Sequence, residues 1–156
     1  MDEFNAKEVV EMAIRTERLG AEYYRELAER FRDNKDFYEL FSKLGEREIE
    51  HEKSFTKLKD SIGTEEYDGW ADVSEYMRAY VQSAFFIGRD KALPHMSNIQ
   101  NVNAAVRLAL SFERETLLYF YGLRDGVEDK VIVDAIIQEE KGHIFWLSRY
   151  ITTHGV

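Results

Sequence analysis

The sequence predicts an all-α protein: a four-helix bundle of two antiparallel hairpins, joined by a long crossover containing a short helix. Three observations carry that prediction. Apolar residues recur at steps of three and four along four long stretches, which puts them on one helical face in each. One proline and 9 glycines among 156 residues leave few positions that break a helix. A 44% hydrophobic content with 10 Phe, 9 Tyr and 2 Trp is enough to fill the core of a single domain over 1–156.

Asn5 and Glu8 form a capping pair that starts the first helix, which runs to about Phe31. Its inward stripe is Val10, Ala13, Glu17, Gly20, Tyr24, Leu27 and Phe31. The polar break Arg32-Asp33-Asn34-Lys35 leads to the second helix, from about Asp36 to Ser61, with Gly63 as its stop. Its stripe is Phe37, Phe41, Leu44, Glu48, His51, Phe55, Leu58 and Ile62. Residues 64–72 read as loop, and Asp72 with Glu75 as caps of a short helix from Val73 to about Phe86. Gly88 and Pro94 break the pattern before a third long helix begins near Asn101, carrying Val102, Val106, Ala109, Glu113, Thr116 and Phe120. A loop over Gly122 to Glu128 precedes the fourth long helix, which ends near Ile151 and carries Val133, Ile136, Glu140, His143, Leu147 and Tyr150.

Each of the four stripes is interrupted by an acid, and two of them also by a histidine. Glu48 with His51 and Glu140 with His143 are Glu-x-x-His pairs in line with apolar neighbours. Buried charge is costly unless something compensates it. One such pair on a chain with 30 Asp and Glu would read as a solvated pair. Two pairs, each level with a further inward acid, read as a metal site. In an antiparallel hairpin, residues of equal depth are equidistant from the turn. The midpoint of Glu17 and Glu48 falls between Arg32 and Asp33, and that of Glu113 and Glu140 between Gly126 and Val127. Bringing the hairpins together converges four carboxylates and two imidazoles, whose mutual repulsion two divalent cations would cancel. Glu48 and Glu140 are then the shared bridges, while Glu17, His51, Glu113 and His143 are terminal ligands. Oxygen donors with a little nitrogen suit iron or manganese. Glu50, Glu52 and Glu139 lie off the stripes as solvated acids, or at most as partners for a His ring nitrogen. His95 and His154 lack any partner spacing and read as surface residues.

Composition excludes several classes. A net charge of −9 without any run of Lys or Arg argues against nucleic-acid binding. The absence of cysteine removes disulfides, thiol catalysis, iron–sulfur clusters and Cys-bound zinc. No stretch of ~18 apolar residues could span a bilayer, and the acidic start MDEFNAKEVVEM is unlike a signal peptide. The expectation is a cytoplasmic protein without membrane contact.

The segments "ERLGAEYYRELAERF", "LFSKLGEREIEHEKSF", "SFERETLLYFY" and "IIQEEKGHIFWL" resemble the four metal-binding helices of the ferritin-like superfamily, and within it rubrerythrin-type proteins. The resemblance covers all but about Gly63 to Asn101, where that family has its long crossover. It implies a di-iron carboxylate protein, an oxidoreductase that reacts with hydrogen peroxide or oxygen. The cysteine-ligated iron domain of rubrerythrins proper is missing here, so reducing equivalents would come from an external electron donor protein. Rubrerythrins tend to place another Glu one turn after the third-helix ligand. Here that residue is Thr116, which leaves a symmetric four-Glu, two-His set. The resemblance also implies tyrosines near the metals, for which Tyr24 and Tyr121 are the candidates; otherwise both are core aromatics. A homodimer is expected, with Phe85-Phe86 and Tyr119-Phe120-Tyr121 as packing or contact residues. Alternatives from other classes are a ferroxidase for iron storage or detoxification, and a non-enzymatic bundle with a structural metal.

Overall fold

The computed structural model describes residues 5–63, 69–88 and 90–156. They form α1 (Ala6–Arg30), α2 (Lys35–Ser61), α3 (Trp70–Ser83), α4 (Val102–Gly126) and α5 (Val131–His154), with one 3-10 turn at Met96–Asn98. No strand occurs among the described residues. The expected loop over 64–68 lies outside them. Among the described residues, no helix is long and apolar enough to cross a membrane.

Asn5 and Glu8 form the expected capping box: the Glu8 amide donates to Asn5 Oδ1 at 2.9 Å, and the Asn5 amide to Glu8 Oε2 at 3.0 Å. Asn34 caps α2 by accepting from the Phe37 amide at 3.2 Å, and Asn101 caps α4 by accepting from the Ala104 amide at 2.8 Å. The end of α2 differs from the expectation, because Ile62 is its cap, in extended geometry, and Gly63 takes no left-handed turn. The short helix also differs. It begins at Trp70, ahead of Asp72, after Gly69 turns the chain with φ 87°, and it ends before Phe85. Burial of Trp70 against the bundle anchors this earlier start.

The connection of the second hairpin needs the largest correction. Gly122 and Gly126 lie inside α4, which runs four residues beyond the expected start of a loop at Gly122. Both glycines instead let α3 approach closely. A Cβ on Gly122 would strike Met77 and Tyr76, and one on Gly126 would strike Trp70 and Val73. A smooth face on α4, four residues apart, is thus what seats the crossover helix.

α1 packs on α2 and α4 on α5, while α2–α5 and α1–α4 contacts close the bundle. The core divides into two apolar clusters. One holds Val10, Ile14, Phe55, Leu58, Tyr119, Phe120, Val133 and Ile137. The other holds Tyr24, Leu27, Phe41, Leu44, Ala109, Phe112, Leu147 and Tyr150. Along every long helix the sequence numbers between these clusters are those of the interrupting acids and histidines. A polar layer therefore sits across the middle of the bundle, with an apolar cluster on either side.

Candidate metal centre

Glu17 comes from α1, Glu48 and His51 from α2, Glu113 from α4, and Glu140 and His143 from α5. The spacing of three residues within each Glu-x-x-His pair stacks carboxylate over imidazole on one face. All six side chains are at most 2% exposed. Their donor atoms form two groups, each within 4.8 Å of one another: Glu17, Glu48, His51 and Glu140, and Glu48, Glu113, Glu140 and His143. Glu48 and Glu140 belong to both groups. The sequence-predicted ligands are thus brought together without exception.

His51 Nδ1 lies 2.8 Å from Glu140 Oε1, 3.3 Å from Glu48 Oε2 and 3.5 Å from Glu17 Oε2. His143 Nδ1 lies 3.5 Å from Glu48 Oε1, 3.6 Å from Glu113 Oε1 and 3.7 Å from Glu140 Oε2. The two rings stack, with centroids 5.3 Å apart and planes inclined by 17°.

These residues fit a pair of cations on their own terms. Both oxygens of Glu17 and of Glu140, Oε1 of Glu48, Oε2 of Glu113 and the Nδ1 atoms of both histidines are buried and face only one another, without a well-aligned hydrogen bond. Buried polar atoms are almost always paired, so such a cluster of orphans marks a place for a ligand that supplies positive charge. The electrostatics agree. Burial, then the charge of Glu48, pushes the Glu17 carboxyl well above its usual range. Burial, then Glu140, does the same to Glu113. Burial alone would also raise Glu48, but protons shared from Glu17, His143 and His51 hold its carboxylate well below that range. Burial disfavours the charged form of His51, yet Glu140, Glu17 and Glu48 together raise its pKa far above the ordinary value. Protons thus occupy positions for which cations would compete.

The tyrosine candidates part company. Tyr24 is buried and donates from its hydroxyl to Glu113 Oε1 at 2.7 Å, tying α1 to α4. Burial and the Glu113 charge keep that phenol protonated, with its pKa well raised. Tyr121 does not reach the centre; it is 39% exposed, with Lys141 Nζ 5.6 Å from its ring centroid. The reason is helical phase. Tyr24 follows Glu17 by seven residues, within ~20° of two full turns, whereas Tyr121 follows Glu113 by eight, ~80° further round. Phe120 occupies the equivalent place and is buried. Thr116 is buried too, its hydroxyl turned back to donate to the Phe112 carbonyl of its own helix.

Glu139 is the acid whose role the stripe did not decide. From α5 its Oε2 accepts from His51 Nε2 at 2.9 Å, while its side chain stays 47% exposed. Glu52 instead pairs with Arg18 at 2.7 Å, and Glu50 with Lys53 at 2.9 Å, both at the surface. His95 and His154 are exposed, as expected. Sequence reasoning missed the fit of Gly20 beside the centre. Its Cβ would come 2.9 Å from Phe112 and 3.6 Å from the Glu48 side chain, and the one available signal was a glycine on the inward stripe of α1.

A bundle with two Glu-x-x-His helices and two single-Glu helices facing one core layer defines the class: ferritin-like dinuclear carboxylate proteins. The family model for rubrerythrin matches residues 8–150, and the chain belongs to the rubrerythrin family. Among solved structures, it is similar to a Thermotoga maritima protein described as a ferritin-like diiron-carboxylate protein. That likeness has a TM-score of 0.74 at 23% identity, covers 100% of this chain and 99% of the other, and shows the fold. No curated protein matches the chain significantly.

Proposed function

We propose that this protein is a di-iron oxidoreductase that reduces hydrogen peroxide, or dioxygen more slowly, with electrons from a separate donor protein. The observation that carries the reading is the pair of overlapping donor groups sharing Glu48 and Glu140, buried and with most of their oxygens lacking a hydrogen bond. Glu17 and His51 would hold one ion, Glu113 and His143 the other. When bound, two ferrous ions supply the two electrons that, with two protons, convert hydrogen peroxide into two waters.

The chain's own residues supply the setting for that chemistry. Apolar clusters on both sides of the layer keep bulk water out, which strengthens every electrostatic interaction inside. Tyr24 holds Glu113 Oε1 and leaves Oε2 free to face a cation. Glu17 and Glu113 give up protons when cations take their place. Thr116 contributes no anion, so four carboxylates neutralise the diferrous pair with none left over. That balance favours the ferrous state more than a fifth carboxylate would, and makes an added reductant sufficient to restore it. Manganese suits the same donor set. A cytoplasmic setting and a homodimer using Phe85 and Tyr121, the exposed members of the two aromatic runs, accord with this reading.

The test is anaerobic loading with ferrous iron, then stopped-flow mixing with each oxidant. Two ions per chain, faster oxidation by peroxide than by dioxygen, and turnover only with added reductant are expected. Faster reaction with dioxygen and uptake far beyond two ions would point to iron storage. Inertness to both oxidants would point to a structural metal.

A further inference from the structure

The two hairpins present the same ligands but do not support them alike. The residue just before the bridging glutamate is Glu139 on α5 and Arg47 on α2. Glu139 reaches across the bundle to the outer nitrogen of His51 on the opposite hairpin, at 2.9 Å. The corresponding residue for His143 is Arg47, whose guanidinium has donors only and cannot accept an imidazole N–H. Glu139 hydrogen-bonds one of the two rings and not the other. Its carboxylate and a nitrogen of each ring lie within 4.8 Å of one another, yet His51 has the hydrogen bond and His143 Nε2 has none. The ring of His143 is 1% exposed, stacks 5.3 Å from Trp146 and borders a cavity of about 250 Å³ lined also by Arg47, Glu139 and Gly142.

A second difference falls on the same half. Glu17 accepts from no group outside the cluster, its Oε2 facing His51 Nδ1 at 3.5 Å, whereas Glu113 has Oε1 committed to Tyr24. The place equivalent to Tyr24 near Glu17 is held by Phe120, which has no hydroxyl to give. Glu17 can therefore offer a cation two oxygens and Glu113 one.

A carboxylate that accepts the outer N–H of a ligating histidine fixes the ring's tautomer and orientation and raises its basicity. Removing such a partner typically costs about 10–100-fold in metal affinity. Arg47 in turn puts a positive charge at the rim of the His143 position. We propose that the two cation positions are unequal by construction. The one formed with Glu17 and His51 is tightly held, the one formed with Glu113 and His143 exchanges, and Glu139 is the positioning residue that sets the difference. This rests on the two-cation reading above.

Calorimetric titration of the metal-free protein with manganese(II) under anaerobic conditions tests it, with the electron paramagnetic resonance spectrum recorded at each addition. Two steps separated by tenfold or more are expected, an uncoupled manganese signal after the first and a spin-coupled one after the second. Glu17→Ala should abolish the tight step and Glu113→Ala the weak one. Glu139→Ala should weaken the tight step about 10–100-fold, Glu139→Gln, whose amide oxygen can still accept, should restore part of it, and Arg47→Glu should strengthen the weak step. Glu139 and Arg47 are surface-accessible, so these variants keep the fold, and circular dichroism checks that they do. Two equal steps in the native protein, or a tight step indifferent to Glu139→Ala, would overturn the proposal while leaving the dinuclear reading intact. Saturation at one equivalent would overturn both.

Discussion

Glu17 shows most directly what the centre costs the metal-free protein. Its carboxyl is fully buried, no group outside the cluster donates to either oxygen, and burial together with Glu48 makes ionisation unfavourable. A buried polar group without a partner costs about 1–3 kcal/mol, so a side chain of similar length and no charge should relieve that cost. Glu17→Met is expected to stabilise the metal-free protein by about 1–3 kcal/mol and to lower metal uptake from two ions to one. Urea unfolding in the presence of chelator, with elemental analysis of the loaded variant, checks both halves. A destabilised metal-free variant would contradict this account of Glu17. Glu113 is a poorer choice for the same experiment, since its removal would leave the Tyr24 hydroxyl without an acceptor.

Glycines show how differently one residue type acts within an element. Gly122 on α4 faces α3, and a Cβ there would press on Met77 and Tyr76. Gly142 on α5 meets nothing within 4 Å. Alanine is favoured over glycine inside a helix by about 1 kcal/mol, so Gly142→Ala should raise stability by roughly that amount. At Gly122 the same gain is opposed by overpacking, which costs about 1–3 kcal/mol, and α3 must shift to make room. Gly122→Ala should therefore be neutral to destabilising by about 2 kcal/mol, with its effect concentrated in the docking of α3. Thermal melts of the pair, compared with hydrogen exchange in α3, distinguish the two outcomes. Equal stabilisation by both substitutions would mean that α4 and α3 are not held in close approach.

At the scale of the whole molecule, the polar layer makes stability depend on pH in a direction that metal reverses. Glu17 and Glu113 have raised pKa values, so above the ordinary 4.5 the folded chain holds protons that the unfolded chain has released. Stability then falls as pH rises. His51 acts in the same sense. Its pKa is raised, so its contribution is complete below the ordinary 6.5 and fades as pH climbs toward the folded value. Glu48 acts in the opposite sense, since its pKa is lowered; its contribution is present above 4.5 and lost as pH falls below it. The metal-free protein should therefore lose thermal stability steadily between about pH 5 and pH 8. Cations replace those protons in the loaded protein, which should release protons on binding and become more stable toward higher pH. Melting temperatures measured across this range, with chelator and with manganese(II), give the two slopes. A metal-free Tm that rises from pH 5 to pH 8 would refute this electrostatic picture.

The sequence by itself determined the long helices and the six inward Glu and His side chains, because both follow from local periodicity. A helix turns every 3.6 residues, so the numbers 48 and 51, or 140 and 143, fix a shared face before any partner helix is known. The depth match of Glu17 with Glu48 is legible for the same reason, since the connection between α1 and α2 is short and polar. The second hairpin was less transparent. Its midpoint falls at the end of α4, yet Glu113 and Glu140 still share one donor group. Only the tertiary structure decided what happens where two elements meet. It made Gly122 and Gly126 a docking face instead of a break, brought Tyr24 and not Tyr121 to a carboxylate, and gave Glu139 to His51 while leaving His143 without it. These outcomes depend on how closely and at what rotation one helix approaches another, and that approach is set by the packing of side chains from distant parts of the chain.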